Sequence, residues 1–297
     1  MDRKIISAIG IDLGGTRIKG VALHNHEVIS HVYEPTGEGE AFKQNMLKVL
    51  THLKKQLSSD EVVVGISAPG IPNESNTAIA VMPGRLPGLE GFLWSDFFQT
   101  PAWVLNDAVC ALVAEARMGV AKDYKNAVML TLGTGVGGAI LIDGKPYQGS
   151  FNKAGHWGHT TVDFDGVADV TNMPGSIEEA IGNVSVERRS MGQFKSTQDL
   201  LDALEEDDPF AHWVWLSSVQ KLALTISSIS NVLSPELVIL GGGIAEVGEW
   251  LFTPLKRFMD IYEWKPGGQG VRVVKAKFSD LAGAIGAACF ALDQKKD

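Results

Sequence analysis

From Ile5 the chain is almost wholly apolar as far as Ile11, where Asp12 ends the run. This pattern predicts a buried strand. Leu13-Gly14-Gly15-Thr16 reads as a glycine turn, and Ile18-Lys19-Gly20-Val21-Ala22-Leu23 as the return strand. The polar turn His24-Asn25-His26-Glu27 leads into a third strand, Val28 to Tyr33. Apolar residues from Glu40 to Leu57 then fall at helical spacing. Val62-Val63-Val64-Gly65-Ile66 is a buried strand closed by Ala68-Pro69-Gly70, Trp103-Val104-Leu105 is a short strand, and Asp107 to Met118 is a helix.

The second half repeats the opening theme. Val128 to Leu132 is a strand, Gly133-Thr134-Gly135-Val136-Gly137-Gly138 a turn, and Ala139 to Ile142 the return strand, with Asp143-Gly144 as a hairpin signal. Laying Leu13-Gly14 on Leu132-Gly133 sets Asp12 on Thr131, which suggests an internal duplication. Farther on, Phe210 to Leu233 is a long helix, Leu237 to Leu240 a strand running into Gly241-Gly242-Gly243 with a helix after it, Val271 to Ala276 a strand, and Leu281 to Leu292 a helix of small residues. Strands alternating with helices mean an α/β protein. A length of 297 residues suits two domains around a cleft. The boundary is expected near Met118-Gly119, giving domains 1–118 and 119–297, with the final helix able to pack back on the first.

Composition narrows the class without naming it. The formal net charge is -9, and an acidic surface disfavours nucleic acid as the main partner. Both cysteines, Cys110 and Cys289, lie in apolar, helix-like surroundings and read as buried thiols. No apolar run is long enough to span a bilayer, so no membrane partner is expected and the expected location is the cytoplasm.

Residues 133–138 satisfy G-x-G-x-x-G, but an apolar strand follows where a dinucleotide fold needs a helix. Neither a Walker A sequence nor the His-Arg-Asp and Asp-Phe-Gly motifs of protein kinases are present. What remains is a set of strand-end loops rich in glycine, which can take positive φ and bring backbone N–H groups close to an anion. Gly14, Gly15, Thr16, Gly133, Thr134 and Gly135 are the candidates for phosphate, and Gly241, Gly242 and Gly243, opening a helix, for a nucleotide base or α-phosphate. Lys19, on the return strand beside the first loop, joins the phosphate-binding set. A carboxylate at Asp12 would repel phosphate unless a cation bridges them, which implies Mg²⁺ held largely through water. Asp107, where a buried strand meets a helix N-terminus, is the candidate base for phosphoryl transfer, with an N-cap as its other reading.

Together these residues resemble the ROK family of sugar kinases and sugar-responsive repressors, within the superfamily of sugar kinases, heat-shock chaperones and actin. Ile11 to Thr16 resembles its first phosphate motif, Leu132 to Gly137 the second, Val238 to Gly243 the adenosine motif, and Gly283-Ala284-Ile285-Gly286-Ala287-Ala288 the closing helix. Ala68-Pro69-Gly70 and Leu105-Asn106-Asp107-Ala108 resemble the sugar-side motifs. The resemblance implies a two-domain actin-like ATPase fold of ribonuclease H-like duplicated domains with an active-site cleft between them. It also implies ATP-dependent phosphorylation of a hexose or related sugar, and a homodimer. Gly70, Asn106, His156, His159 and Glu178 would then lie on sugar-side positions, with Asp107 as the base.

Two departures stand out. The family's zinc site uses its histidine, here His159, and three cysteines before the glutamate. Val167 to Ser176 contains none, and a thiolate site needs thiolates, so no zinc is expected. The family also has a glutamate where this chain has His156, and an imidazole offers different hydrogen bonds from a carboxylate. Trp157 beside it could stack on a sugar or belong to the core. These departures motivate a rival reading as a non-catalytic sugar or nucleotide sensor. A repressor would need a DNA-binding segment, and a polyphosphate user would not need the adenosine-like loop.

Overall fold

The computed structural model describes residues 7–57, 61–82 and 86–295. The Ile5-Ile6 start expected for the first strand lies outside them. In chain order the elements are β1 (Ser7–Leu13), β2 (Arg17–His24), β3 (Glu27–Pro35), α1 (Ala41–Lys54), β4 (Val62–Ala68), β5 (Ile71–Pro72), β6 (Ile79–Val81), α2 (Trp94–Phe98), β7 (Ala102–Asn106) and α3 (Asp107–Met118). Next come β8 (Ala127–Leu132), β9 (Val136–Ile142), β10 (Lys145–Tyr147), α4 (Ile177–Ile181), α5 (Val186–Arg189), α6 (Thr197–Glu205), α7 (Pro209–Leu233), β11 (Leu237–Gly241), α8 (Glu249–Tyr262), β12 (Arg272–Lys275) and α9 (Ala282–Gln294).

The chain forms two compact units, one of residues 1–123, 144–154 and 277–297, the other of 124–143 and 155–276. These limits differ from a single change at 118/119, because residues 144–154 and the last 21 residues, 277–297, return to the first unit. A buried carboxylate anchors that return. Glu115, with no exposure, accepts from Val120 N at 2.9 Å and from Phe278 N at 2.8 Å. One side chain thereby fixes the segment after α3 and the segment before α9.

In the first unit the strand order is β3-β2-β1-β4-β7. The β1–β2 and β2–β3 pairs are antiparallel, and β1–β4 and β4–β7 are parallel. Central β1 and β4 are buried almost throughout, while edge strand β3 alternates toward solvent. Phe42, Met46, Val49, Leu50 and Leu53 of α1 join the core with Ile9, Ile11 and Val64. Helix α9 packs against β1, β4 and α3, and its small residues permit the approach. A β-carbon on Gly65 would lie 1.8 Å from the Ala287 carbonyl oxygen, and one on Gly286 1.7 Å from that of Cys110. Cys110 and Cys289 are both buried, and burial pushes the Cys110 thiol well up.

The second unit repeats the arrangement with strands β9-β8-β11-β12. The β8–β9 hairpin is antiparallel, and β8–β11 and β11–β12 are parallel. Its core joins Val128, Leu130, Val238 and Leu240 to Leu222 and Ile226 of α7 and Leu251 and Leu255 of α8. Asp208 caps α7, accepting from Phe210 N and Ala211 N, ahead of a proline in the first turn. No described helix is long and apolar enough to cross a membrane.

Candidate active site

In the first unit, parallel strands β1, β4 and β7 finish side by side. Asp12 is in register with Ser67, and Ala68 with Asn106. Carboxyl ends of parallel strands are where open α/β sheets bind ligands. Here that edge carries Asp12, Gly14, Gly15, Thr16, the Gly70 turn, Asn106 and Asp107.

Asn106 is the N-cap of α3. Its Oδ1 accepts from Ala108 N at 3.0 Å and its Nδ2 donates to Gly70 O at 3.1 Å. The amide therefore ties the Gly70 turn to the helix start, a structural duty beyond the sugar contact expected of it. Gly70 has φ +101°, and an added β-carbon would lie 2.7 Å from Val81 O, so glycine is required there on both counts. Asp107 is exposed in the first turn of α3, its Oδ1 accepting from Ala108 N at 2.8 Å. With Asn106 as the cap, Asp107 presents its carboxylate outward at the positive end of the helix dipole.

Asp12 does not stand alone. Its Oδ1 accepts from Ser67 Oγ at 2.6 Å, and its Oδ2 lies 3.4 Å from Lys19 Nζ. Lys19 also meets Asp280 at 3.1 Å, and Arg17 meets Asp280 at 3.2 Å. Burial favours loss of the Lys19 proton, but Asp12 and Asp280 outweigh it and hold the ammonium above the ordinary lysine value. Burial likewise works against charge on Asp280, yet Lys19 and Arg17 keep its carboxyl below the usual range. Lys19, expected on phosphate, thus bridges two carboxylates. Neither Ser67 nor Asp280 was legible as a site residue, because only the fold brings Ser67 to Asp12 and Asp280 to Lys19.

In the second unit, Gly133 and Thr134 from the β8–β9 turn and Gly243 from the turn after β11 line one cavity of about 530 Å³. Asn183, Thr197, Gln198 and Trp250 line it too. Thr197 N donates to Asn183 Oδ1 at 2.7 Å, while the buried Thr197 Oγ1 has no hydrogen-bond partner among the described residues. Gly241 and Gly242 do not reach the cavity wall. Gly241 ends buried β11, and Gly242 takes φ +84° against Leu132.

The glycines work differently from expectation. Gly14, Gly15, Gly133 and Gly135 do not adopt positive φ, so the left-handed freedom expected of these loops is not used. Around Gly15 and Gly133 there is open space where an added β-carbon would sit, and a ligand can approach the backbone there. At Gly135 the missing β-carbon makes room for Glu178, whose Oε2 it would meet at 2.1 Å. Glu178 Oε2 in turn accepts from Val136 N at 3.0 Å. Glu178, expected on the sugar, therefore supports the second glycine turn. The turn is further held by Asn183 N on Gly133 O and Val184 N on Thr134 O, both at 2.9 Å. The Gly241-Gly242-Gly243 stretch opens a 3₁₀ turn, Gly243–Val247, rather than an α-helix; α8 starts at Glu249.

His156 and His159 bracket another 3₁₀ turn, Trp157–His159. Trp157 is partly buried and packs on the core of the second unit, with Gly138 against its ring, in line with the core reading. His159 Nδ1 lies 2.8 Å from Asp169 Oδ2. Burial opposes charge on Asp169, but His159, Thr171 and Met173 N outweigh it and hold the carboxyl well below its usual range. Asp169 went unread in the sequence, where only the missing cysteines of this segment drew notice.

The ROK family model matches residues 8–294. Glucokinase of Halalkalibacterium halodurans is 28% identical, the alignment covering 94% of this chain and 92% of that protein. N-acetyl-D-glucosamine kinase of Yersinia pseudotuberculosis is 29% identical over 96% of this chain and 99% of its own. Among solved structures, a ROK hexokinase from Thermus thermophilus superposes with a TM-score of 0.86 at 25% identity, covering 98% of this chain and 99% of that one.

Proposed function

The chain belongs to the ROK family, and we propose that it is an ATP-dependent sugar kinase, transferring the γ-phosphoryl group of ATP to a hydroxyl of a hexose or related sugar. The observation that carries this reading is the cavity of the second unit. Two glycine turns more than a hundred residues apart in sequence, at Gly133-Thr134 and Gly243, open onto the same space of about 530 Å³. The cavity falls within the size range of small-molecule sites. Relatives named glucokinase and N-acetyl-D-glucosamine kinase support the sugar as acceptor.

In this mechanism Asp107 accepts the proton of the attacking hydroxyl while its oxygen forms the bond to the γ-phosphorus. The bond to the β–γ bridging oxygen breaks, and ADP leaves. A base must be ionised and within reach of its hydroxyl. The exposed position of Asp107 at the start of α3, beside the Asn106 cap, supports this role. Lys19 keeps Asp12 compensated, so the strand end beside the first glycine turn is not a bare negative charge facing phosphate.

The residues fit Mg²⁺ only in a water-rich form. Asp12 is one carboxylate, already taking Ser67 on one oxygen and facing Lys19 with the other. Such a group suits an ion that keeps several waters and draws its other ligands from phosphate oxygens. When bound, that ion would neutralise charge on the phosphates. The donor set near His159 does not fit a thiolate zinc site, since residues 167–176 hold no cysteine. A homodimer belongs to the same proposal, and sedimentation equilibrium would test it.

The test is ADP release from Mg-ATP across a panel of hexoses, N-acetylhexosamines and their analogues. Turnover that depends on one class of sugar supports the kinase and names the acceptor that His156 admits. Absence of turnover with every sugar, alongside measurable ATP or sugar binding, would replace it with a sensor.

A further inference from the structure

We infer that Asp169 is a positioning residue for His159, fixing the ring so that Nδ1 carries the proton and Nε2 faces a sugar hydroxyl as an acceptor; this rests on the sugar-kinase reading above. The argument starts from the carboxylate. The Asp169 side chain has no exposure, whereas that of His159 is 30% exposed. The two Asp169 oxygens divide their work. Oδ1 accepts from Thr171 N at 2.7 Å, Thr171 Oγ1 at 2.7 Å and Met173 N at 3.1 Å. Those bonds close a tight turn within the segment and leave Oδ2 for Nδ1 of His159 at 2.8 Å.

The turn itself is anchored at its base. Val162 N donates to Gly175 O at 2.8 Å, Gly175 N to Val167 O at 2.9 Å, and Ile177 N to Thr160 O at 2.9 Å. Lys221 of α7 holds Asp163 at 3.0 Å. The chain thus leaves the 3₁₀ turn at His159, folds back, and brings a buried carboxylate beside the ring. An ionised carboxylate only accepts, so Nδ1 must donate, and a neutral imidazole then has its lone pair on Nε2. Carboxylates that orient metal-bound histidines act in the same way. Here the carboxylate performs that orientation in a segment with no cysteine to bind zinc.

The state of His159 can be read by ¹⁵N–¹H correlation spectroscopy on the full chain labelled at histidine, with His159→Gln to assign its signals. In the neutral ring the expected tautomer carries its proton on Nδ1. A neutral His159 with its proton on Nε2 would overturn the inference, and this readout needs no sugar and no turnover. The second arm is kinetic. Asp169→Asn, which can present an amide N–H or a carbonyl to the ring, should raise KM for the sugar by about tenfold to a hundredfold while KM for ATP changes less than about twofold. Equal rises in both constants would point to general loosening and contradict a positioning role. If no sugar is turned over by the native protein, the sugar-kinase reading fails, while the tautomer still decides the Asp169–His159 pairing.

Discussion

The two glycine hairpins share one scaffold and have diverged in charge. In each unit an antiparallel hairpin lies beside parallel strands, β1 against β2 and β4, β8 against β9 and β11. The first pairs Asp12 with Lys19 across the hairpin; at the matching place the second pairs Thr131 with Gly137. The first turn sits beside compensated charges, Asp12, Lys19 and Asp280. The second shows no such set among the described residues and is braced from outside by Glu178 and by the backbone of Asn183 and Val184. A strand-end turn is therefore a neutral frame, and its cross-strand neighbours decide its task.

The same registers set Gly10 against Met129 and Gly65 against Ile239. The first sheet is thus hollow at its middle where the second is filled, and α9 occupies the hollow. Gly65→Val should consequently have the largest effect on stability, about 4 kcal/mol or more, because a β-carbon there would lie 1.8 Å from a carbonyl oxygen of α9. Thermal unfolding checks this; a Tm close to that of the native chain would mean that α9 can shift at little cost.

Acid sensitivity sharpens the contrast between units. The Asp169 carboxyl is held below its usual range in the fold, so its contribution is complete above the unfolded value of about 3.9 and is lost as pH falls below it. Urea titrations at pH 5 and pH 3 should show a smaller loss for Asp169→Asn than for the native chain. Asp280→Asn should behave nearly like the native chain, because its side chain is 45% exposed and exposed pairs contribute little. A reversed order of the two variants would break the comparison.

A smaller effect is expected at the brace. Glu178→Ala leaves Val136 N–H without its partner and should raise KM for ATP by about tenfold. A rise confined to the sugar KM would instead return Glu178 to the sugar. The smallest change in stability belongs to Gly133→Ala, within about 0.5 kcal/mol, since nothing stands within 4 Å of the added carbon. ATP binding should nonetheless weaken, and isothermal titration would show it.

Much of this was legible in the chain. The apolar runs and their glycine stops marked β1, β4, β8 and β11 because buried strands leave little choice of residue. Asp107 was singled out by its place between a strand and a helix, and the structure has β7 ending at Asn106 and α3 starting at Asp107. Long-range partners left no local mark. Asp280 meets Lys19 across 261 positions, and Ser67 meets Asp12 only through the β1–β4 register. The stretch from Asn183 to Glu205 supplies part of the cavity, yet its helices are short. Its best signal was the capping box of Ser196 and Asp199.

Asp107→Asn tests the central claim most directly, with sugar-dependent turnover and ATP affinity measured on the same preparation. The account predicts a fall in kcat of about 10²–10⁴-fold with nucleotide binding unchanged, since the cavity proposed for the nucleotide is lined by residues of the other unit. Turnover near the native rate would remove Asp107 from the chemistry and contradict the mechanism.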